Sequence, residues 1–555
     1  MKEIRTDVLG VGGGGGAIRA AIEADREGAA VLIVTKGRLG KSGATAYQVS
    51  EMAGFNVPDG IKDKRDTPEH YYEDMMTASQ GMADPELVQV VAEGAPGAHK
   101  QLKDWGVPFK QENGQDYAFL SCFSSCARTH VIPGHGEPIL KPLLAQCNTR
   151  MQRMENSMIL QLLIHEGQCV GAYGLCEGEE VLIYAKAVIL GTGGAGQLFE
   201  KNMNPKDVTG DGYALGYLAG AELINMEFMQ VGIGISSPRT ALLNAYVWGG
   251  YPRIEDVNGN SIFHSLNVDQ KQVMDAHQTH FPFSSSDESK FFEIGIQKAI
   301  REGRGTRNHG VRCDMTMMRE DYVRSCTNQF GLHEMWPEVV SFLASREISI
   351  LEGPVEIACF AHAVNGGIRI DRNGRSSIPG LYALGETAGG PHGADRLGGN
   401  MMVTCQVFGK AAGKAAAAEA KKKSDWDRNQ TEWKAEIGGI RKILYSHAPV
   451  PEMKCQLQEW NQKYLLILRN ENGLEELERR IQDLETQFME APAGGVRRTE
   501  NVELYHMIIT SKLMAEAARN RKESRGSHYR EDFPEKKNAF EEPYRIRQKQ
   551  PKREG

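Results

Sequence analysis

Five consecutive glycines, Gly12 to Gly16, lie between two apolar runs and set the strongest limit on what this chain can fold into. Val8, Leu9 and Val11 precede them. Ala17, Ile18, Ala21 and Ile22 follow at helical spacing, and Ala30 to Val34 is apolar again. The order is strand, tight turn, helix, strand. Gly12, Gly14 and Ala17 hold the G-x-G-x-x-G/A positions, so backbone through Gly15 and Gly16 can approach a pyrophosphate at a helix N-terminus. Taken alone the glycines fit a plain loop equally well; the flanking strand and helix favour a dinucleotide site.

The end of the second strand bears on which dinucleotide. A carboxylate is expected there for ribose hydroxyls, but the chain has Thr35 and Lys36. Thr35 can still exchange hydrogen bonds with a ribose. The following Gly40, Ser42, Gly43, Ala44 and Thr45 suit a loop running beneath a cofactor larger than nicotinamide, and FAD is the reading.

A chain of 555 residues predicts about two to four domains. Hydrophobic residues make up 41 %, enough for a large core. The net charge of −7 argues against non-specific nucleic-acid binding. No run reaches the roughly 18 apolar residues that suggest a membrane span, and the first strand starts too early for a signal peptide, so a cytoplasmic protein is expected. The 10 cysteines are scattered. Cys122 and Cys126 lack a second pair, so no metal site is predicted and ordinary thiols in a reducing compartment are expected; iron–sulfur centres, if any serve this protein, belong to a partner.

Residues 66–110 read as two amphipathic helices, the second opened by Asp84 as N-cap and Pro85. Arg128, His130 and His135 reach a bound anion or sit in a solvated loop, with nothing to choose between them. Strands follow at Met158–Leu163, Cys169–Cys176, which carries Ala172, and Val181–Tyr184. A further apolar strand ends in Gly191-Thr192-Gly193-Gly194, where backbone again meets something large. Thr209-Gly-Asp-Gly starts a helix running to about Glu222; Asp211 in its first turn takes a ribityl hydroxyl or simply caps the helix. From about Ser236 to Leu351 the composition shifts, marking an inserted domain. Glycine-rich segments resume at 366–371, 378–386 and 392–401, leading to an alanine-rich helix over Val407 to Ala420. Beyond Lys421, Leu474, Leu477, Ile481, Leu484 and Phe488 form one apolar stripe, and Val502 to Ala518 repeats the pattern. After Pro534 a basic, polar surface arm is expected.

Several separated stretches together resemble one family: the flavoprotein subunits of succinate dehydrogenase and fumarate reductase, whose relatives include L-aspartate oxidase and the α-subunit of adenylylsulfate reductase. They are Asp7–Thr45, Gly81-Met-Ala-Asp-Pro-Glu-Leu-Val, Val188-Ile-Leu-Gly-Thr-Gly-Gly-Ala-Gly-Gln, Thr209-Gly-Asp-Gly-Tyr-Ala, Met226-Glu-Phe-Met-Gln, Ala361-His, the run from Gly385 to Asn400, and Lys522 to Pro534. The resemblance implies an α/β fold with a Rossmann-like FAD-binding domain in two segments (1–235 and 355–422), an inserted α+β capping domain (236–354), and a C-terminal helical domain and tail (423–555). It implies that Gly385 and Glu386 hold FAD hydroxyls and that Asn400, Met401 and Met402 pass near the isoalloxazine. Membrane-bound members attach FAD through a histidine where this chain has Gly43, so non-covalent FAD is expected.

The departures concern the substrate. Where dicarboxylate-reducing members follow Glu-Phe-x-Gln with His-Pro-Thr, this chain has Gly232-Ile233-Gly234. Their Thr-Glu falls within Asn244-Ala-Tyr-Val-Trp248. Their proton-delivering arginine aligns with Ser289, or with Ser286 if a short insertion is allowed, leaving Lys290 as the nearby base. His362 and Arg396 match two of the family's substrate ligands, although His362 also suits a core histidine and Arg396 an ion pair with Asp395. Trp248 stacks on a ring-containing substrate or belongs to the core.

Together these readings predict an FAD-dependent oxidoreductase acting on an anionic carboxylate or acyl substrate other than fumarate. Electrons would pass through a ferredoxin-like iron–sulfur subunit, an expectation carried by the resemblance alone. The alternatives are a flavoenzyme acting on a sulfur oxyanion nucleotide, like the α-subunit of adenylylsulfate reductase, and an electron-transfer subunit without its own substrate.

Overall fold

The first strand, β1 (Lys2–Val11), is buried at its apolar end and lies parallel between β2 (Val31–Val34) and the strand Glu179–Leu190. This is the computed structural model of the chain, and it describes residues 1–134, 136–424, 433 and 436–548. Nearly continuous apolar runs such as Val31-Leu-Ile-Val are what a parallel sheet covered on both faces requires. The sheet continues in the order Gln152–Met154, β2, β1, Glu179–Leu190, Gln168–Cys176, Met158–His165, and Leu381–Ala383 also pairs with Glu179–Leu190. Val181–Tyr184 and the apolar run after it, expected as separate strands, form this single one. Because Leu381 to Ala383 arrives from late in the chain, it carries the second glycine-rich region to the C-terminal ends of the first strands.

Helix α1 (Gly15–Arg26) packs on the long helix Asn400–Ala420. The expected pair after residue 66 is Pro68–Ser79 and Pro85–Asp104, and Asp84 Oδ1 accepts from Glu86 N at 3.0 Å as its N-cap. A second sheet orders Ala241–Leu242, Met229–Ser237, Val355–Val364, Val311–Asp314 and Arg253–Glu255. Its central pair, Met229–Ser237 with Val355–Val364, straddles both ends of the inserted region. A third sheet joins Met52–Asn56, Thr129–Pro133 and Ala118–Phe119 and stands beside the glycine turn.

The C-terminal region is helical. Leu474, Leu477, Ile481, Leu484 and Phe488 are all buried on Glu471–Glu490, which packs on Thr499–Asn520. That last helix buries polar groups too, because they bond outward: His506 faces Asp211, and Thr510 donates to Gly210 O at 3.1 Å. The arm expected after Pro534 does lie on the surface, most of residues 534–545 being exposed, but it is anchored. Arg545–Ile546 adds a strand to Leu223–Ile224, and the buried guanidinium of Arg521 donates to Phe540 O and Glu542 O, so the tail is held down as far as it is described. Among the described residues no helix is long and apolar enough to cross a membrane.

Candidate functional site

The glycine turn, the Ser42–Thr45 loop, the end of Glu179–Leu190 and the 384–402 return meet around one large cavity, about 2100 Å³ of atom-free space including its mouth. Gly12 holds φ at 125°, and a Cβ there would lie 2.2 Å from Gly191 O. That close approach admits only glycine. Gly14 caps α1 without any side-chain bond, and no acid stands in the first turn. The first amides of α1 therefore face the cavity with the positive end of the helix dipole, apart from Gly15 N, which donates to Thr45 Oγ1 at 3.2 Å. A pyrophosphate fits this cradle. Gly12, Gly14, Gly15 and Gly16 all line it.

Of the other residues expected at the cofactor, Thr35, Lys36, Ser42, Gly43, Ala44 and Thr45 line the near wall. Thr192, Gly193 and Asp211 line the next side, and Gly385, Glu386, Met401 and Met402 the far one. Five stand elsewhere. Ala17 is buried in α1 against Gly191, the close helix–strand contact that the third motif position serves. Gly40 turns over Leu144. Ala172 is fully buried in mid-sheet, paired with Ile183 and Leu162. Gly194 backs Glu386; any Cβ would strike its carboxylate. Asn400 Oδ1 accepts from Asn56 Nδ2 and Tyr71 OH, both at 2.5 Å, beneath the cavity floor.

Charge is unevenly distributed. Glu386 Oε1 accepts from Val364 N at 2.9 Å, and burial pushes its carboxyl up to about 7. Lys36 lines the wall, but its ammonium is taken: it donates to Thr209 Oγ1 at 2.8 Å, Asp211 Oδ2 at 2.9 Å and Glu503 Oε2 at 2.7 Å. Asp211 is the first helical residue of Asp211–Leu218, with no capping bond. Although burial opposes it, Lys36 and His506 hold its carboxyl well below the usual range.

His362 and Arg396 also line the cavity. Arg396 is 6 % exposed; its Nε donates to Gln230 Oε1 at 2.9 Å and its Nη1 to Leu397 O at 3.0 Å. Among the described residues no carboxylate pairs with it. Asp395 instead accepts from Ser284 Oγ at 2.7 Å and Gln80 Nε2 at 3.0 Å, so the ion pair weighed for Arg396 is not formed. A rigidly held guanidinium without a carboxylate is suited to an anion.

Lys290 does not join this group. It opens the helix Lys290–Arg301 with its ammonium over the Phe291 ring at 5.4 Å, away from the cavity lining. Ser286 and Ser289 are likewise engaged elsewhere, with Gln80 and His280. Trp248 is fully buried against Phe292, a core residue. Arg128 and His130 are neither solvated nor free for an anion: Arg128 pairs with Asp66 and Asp74 at 2.7 Å, and His130 lies beside Asp59. His135 lies outside the described residues.

Residues not anticipated complete the lining. Phe281 covers Gly232, where a Cβ would fall 2.0 Å from the ring. Tyr246 OH donates to Glu51 Oε1, which also accepts from Asn244 Nδ2 at 2.7 Å; Tyr246 and Asn244 line the cavity. Cys122 and Cys405 line it as well, and burial pushes these thiols up to about 11 and about 12. Phe281 gives no periodic or motif signal, and Glu51 lies far from Tyr246 in sequence.

Comparison with known proteins agrees with this geometry. Residues 7–245 and 314–402 match the FAD binding domain model, and 454–546 match the fumarate reductase flavoprotein C-terminal model. An uncharacterised FAD-dependent oxidoreductase of Methanocaldococcus jannaschii is 31 % identical over 97 % of this chain and 95 % of its own. A fumarate reductase (CoM/CoB) subunit of Methanothermobacter marburgensis is also 31 % identical, over 95 % and 94 %. The solved structure of Mycobacterium smegmatis Sdh1 in complex with UQ1 superimposes with a TM-score of 0.84 at 25 % identity, covering 99 % of this chain and 95 % of that one. With an amide-lined cradle, a two-segment frame and these matches, the chain belongs to the fumarate reductase and succinate dehydrogenase flavoprotein family of FAD-dependent oxidoreductases.

Proposed function

We propose that this chain transfers hydride between non-covalently held FAD and a substrate with one anionic end and an apolar remainder, a carboxylate or acyl compound other than fumarate. The observation that carries the reading is the asymmetry of the cavity. Arg396 and His362 line the cavity, and the Phe281 ring, edge-on to His362 at 5.4 Å, fills the space over Gly232, leaving no room at that position for a second polar clamp. A dicarboxylate would bury its second charge against this apolar wall, at a cost of several kcal/mol. When bound, FAD supplies the hydride chemistry. The protein's part is to hold the anion on Arg396, to exclude water, and to keep a proton near carbon. Tyr246 OH, hydrogen-bonded to Glu51, holds that proton, the role for which Lys290 is out of place.

We further propose that the electron partner is a ferredoxin-like iron–sulfur subunit. The Methanothermobacter marburgensis relative, named as one subunit of a fumarate reductase, supports it. Recovery of the protein from its native source with no associated iron would contradict it.

The test of the substrate reading is anaerobic. Photoreduced flavoprotein is mixed with unsaturated monocarboxylates, acyl thioesters, fumarate, and sulfite with AMP. Reoxidation by an anionic enoate with an apolar tail is expected, falling about 100-fold or more in Arg396→Gln. Fumarate turnover at a rate matching the anionic enoates would overturn it, and so would AMP-dependent bleaching by sulfite.

A further inference from the structure

Outside the cavity, a helix, a hairpin and a strand bring three side chains together that the reading of the sequence left unconnected. His99 lies on Pro85–Asp104, Asp116 on the short strand Gln115–Asp116, and His130 on Thr129–Pro133. One nitrogen or oxygen from each lies within 4.8 Å of the others, and all three side chains are buried. We propose that they form a divalent-cation site suited to zinc, with Asp59 as the carboxylate behind His130.

The geometry favours an ion over a set of hydrogen bonds. Asp116 Oδ2 lies 3.3 Å from His99 Nε2 and 3.9 Å from His130 Nδ1. At those separations a hydrogen bond would be within or near reach. Yet His99 Nε2 and both ring nitrogens of His130 make none, because the groups are not aligned with one another. Bonds of about 2.0–2.2 Å to a tetrahedral zinc place neighbouring ligand atoms about 3.3–3.6 Å apart. The Asp116–His99 pair already has that spacing, and His130, at 3.9 Å from Asp116, stands slightly farther out and would draw in on binding. The second nitrogen of His130 lies 3.1 Å from Asp59 Oδ2, near enough for a small turn of the ring to make the carboxylate–histidine bond that orients a metal-bound imidazole.

Lys103 is the competitor. Its ammonium sits 2.8 Å and 2.7 Å from the two Asp116 oxygens, and Gln111 Nε2 also donates to Oδ1. The Lys103 side chain is 43 % exposed and can withdraw into water, leaving Oδ2 to the ion while Gln111 keeps Oδ1. Water takes the fourth position. The consequence reaches the cavity: His130 pairs with Phe55, and the adjacent Thr129 lines the cavity and donates to Asn56 at 2.6 Å. An ion here would brace the sheet that walls the FAD site.

The experiment uses the full-length holo-flavoprotein, stripped with EDTA, dialysed and titrated with ZnCl₂. Metal content after gel filtration, calorimetric affinity and thermal midpoint are read, and flavin absorbance serves as the control for folding. One zinc per chain is expected, with a dissociation constant below micromolar and a raised midpoint. The double variant His99→Gln/His130→Gln should lose this zinc, and Asp59→Asn should bind it 10- to 100-fold more weakly. Lys103→Met, which removes the competing cation, should bind at least as tightly. The proposal is overturned if wild type retains no more zinc than the double variant, as binding by surface thiols alone would give. Should the double variant fail to fold, unchanged affinity in Asp59→Asn or weaker binding in Lys103→Met overturns it.

Discussion

Glu51 is buried beside the cavity, and among the described residues no cation pairs with it; Asn244 and Tyr246 donate to one oxygen only. Burial therefore pushes its carboxyl up from near 4.5 to about 7. The folded state binds this proton more tightly than the unfolded chain, so the contribution of Glu51 is fully present at acid pH and is lost as pH rises through about 7. Glu51→Gln removes the titration while keeping the shape. The stability of wild type relative to that variant should fall by about 3 kcal/mol between pH 4.5 and 8, as read from urea unfolding. A difference that stays flat with pH would show that Glu51 ionises freely. Gly43 supports a second expectation at this scale. It lines the cavity and offers no imidazole, so acid denaturation should leave all the FAD in the supernatant. A yellow pellet would reveal a covalent bond made by some other residue.

Helices α1 and Asn400–Ala420 show why the element that builds the cradle was only half legible. Its alanine-rich part, Val407 to Ala420, announces a helix, whereas the polar Asn400, Thr404 and Gln406 before it carry no such signal. They are helical because Gly399, at φ 83°, opens the helix and because each polar side chain meets a partner: Asn400 with Asn56, Thr404 with Met401 O, Gln406 with Gly15 O. Those partners are remote or invisible to periodicity. The turn, β1, β2 and the Leu474–Phe488 stripe were legible because local period and composition dictate them. Lys290 was not, since counting back along a helix cannot say which way the preceding loop carries the chain. Gly413 tests the packing of the two helices: a Cβ there would lie 2.3 Å from Ala20 O, which is backbone and cannot swing aside. Gly413→Ala should destabilise the protein by about 1–3 kcal/mol and weaken FAD retention together. A thermal midpoint equal to wild type would mean the helices separate at little cost.

Across the whole molecule, Lys36 ties the first domain segment to the C-terminal helices. It follows β2, meets Asp211 at the start of Asp211–Leu218, and reaches Glu503 on Thr499–Asn520, where Glu503 also takes Lys454 at 2.9 Å. His506, from the same C-terminal helix, closes on the other oxygen of Asp211 at 3.1 Å. Asp211 and Lys36 both line the cavity, so the cofactor wall and the C-terminal domain share one charge network. Within it Lys36 is held protonated above its ordinary range by Asp211 and Glu503, even though burial works the other way. Lys36→Met takes from Asp211 and Glu503 the cation they share, leaving Asp211 with His506 and Thr209 and Glu503 with Lys454, and should lower stability of the flavin-free protein by about 1–3 kcal/mol. Adding Asp211→Asn should return part of that loss, because the variant removes a buried charge that has lost its lysine; the double-mutant cycle measures the coupling. If Lys36 served the cofactor alone, Lys36→Met would weaken FAD affinity while leaving the flavin-free midpoint unchanged. The two outcomes separate a residue that holds the ligand from one that holds the domains around it.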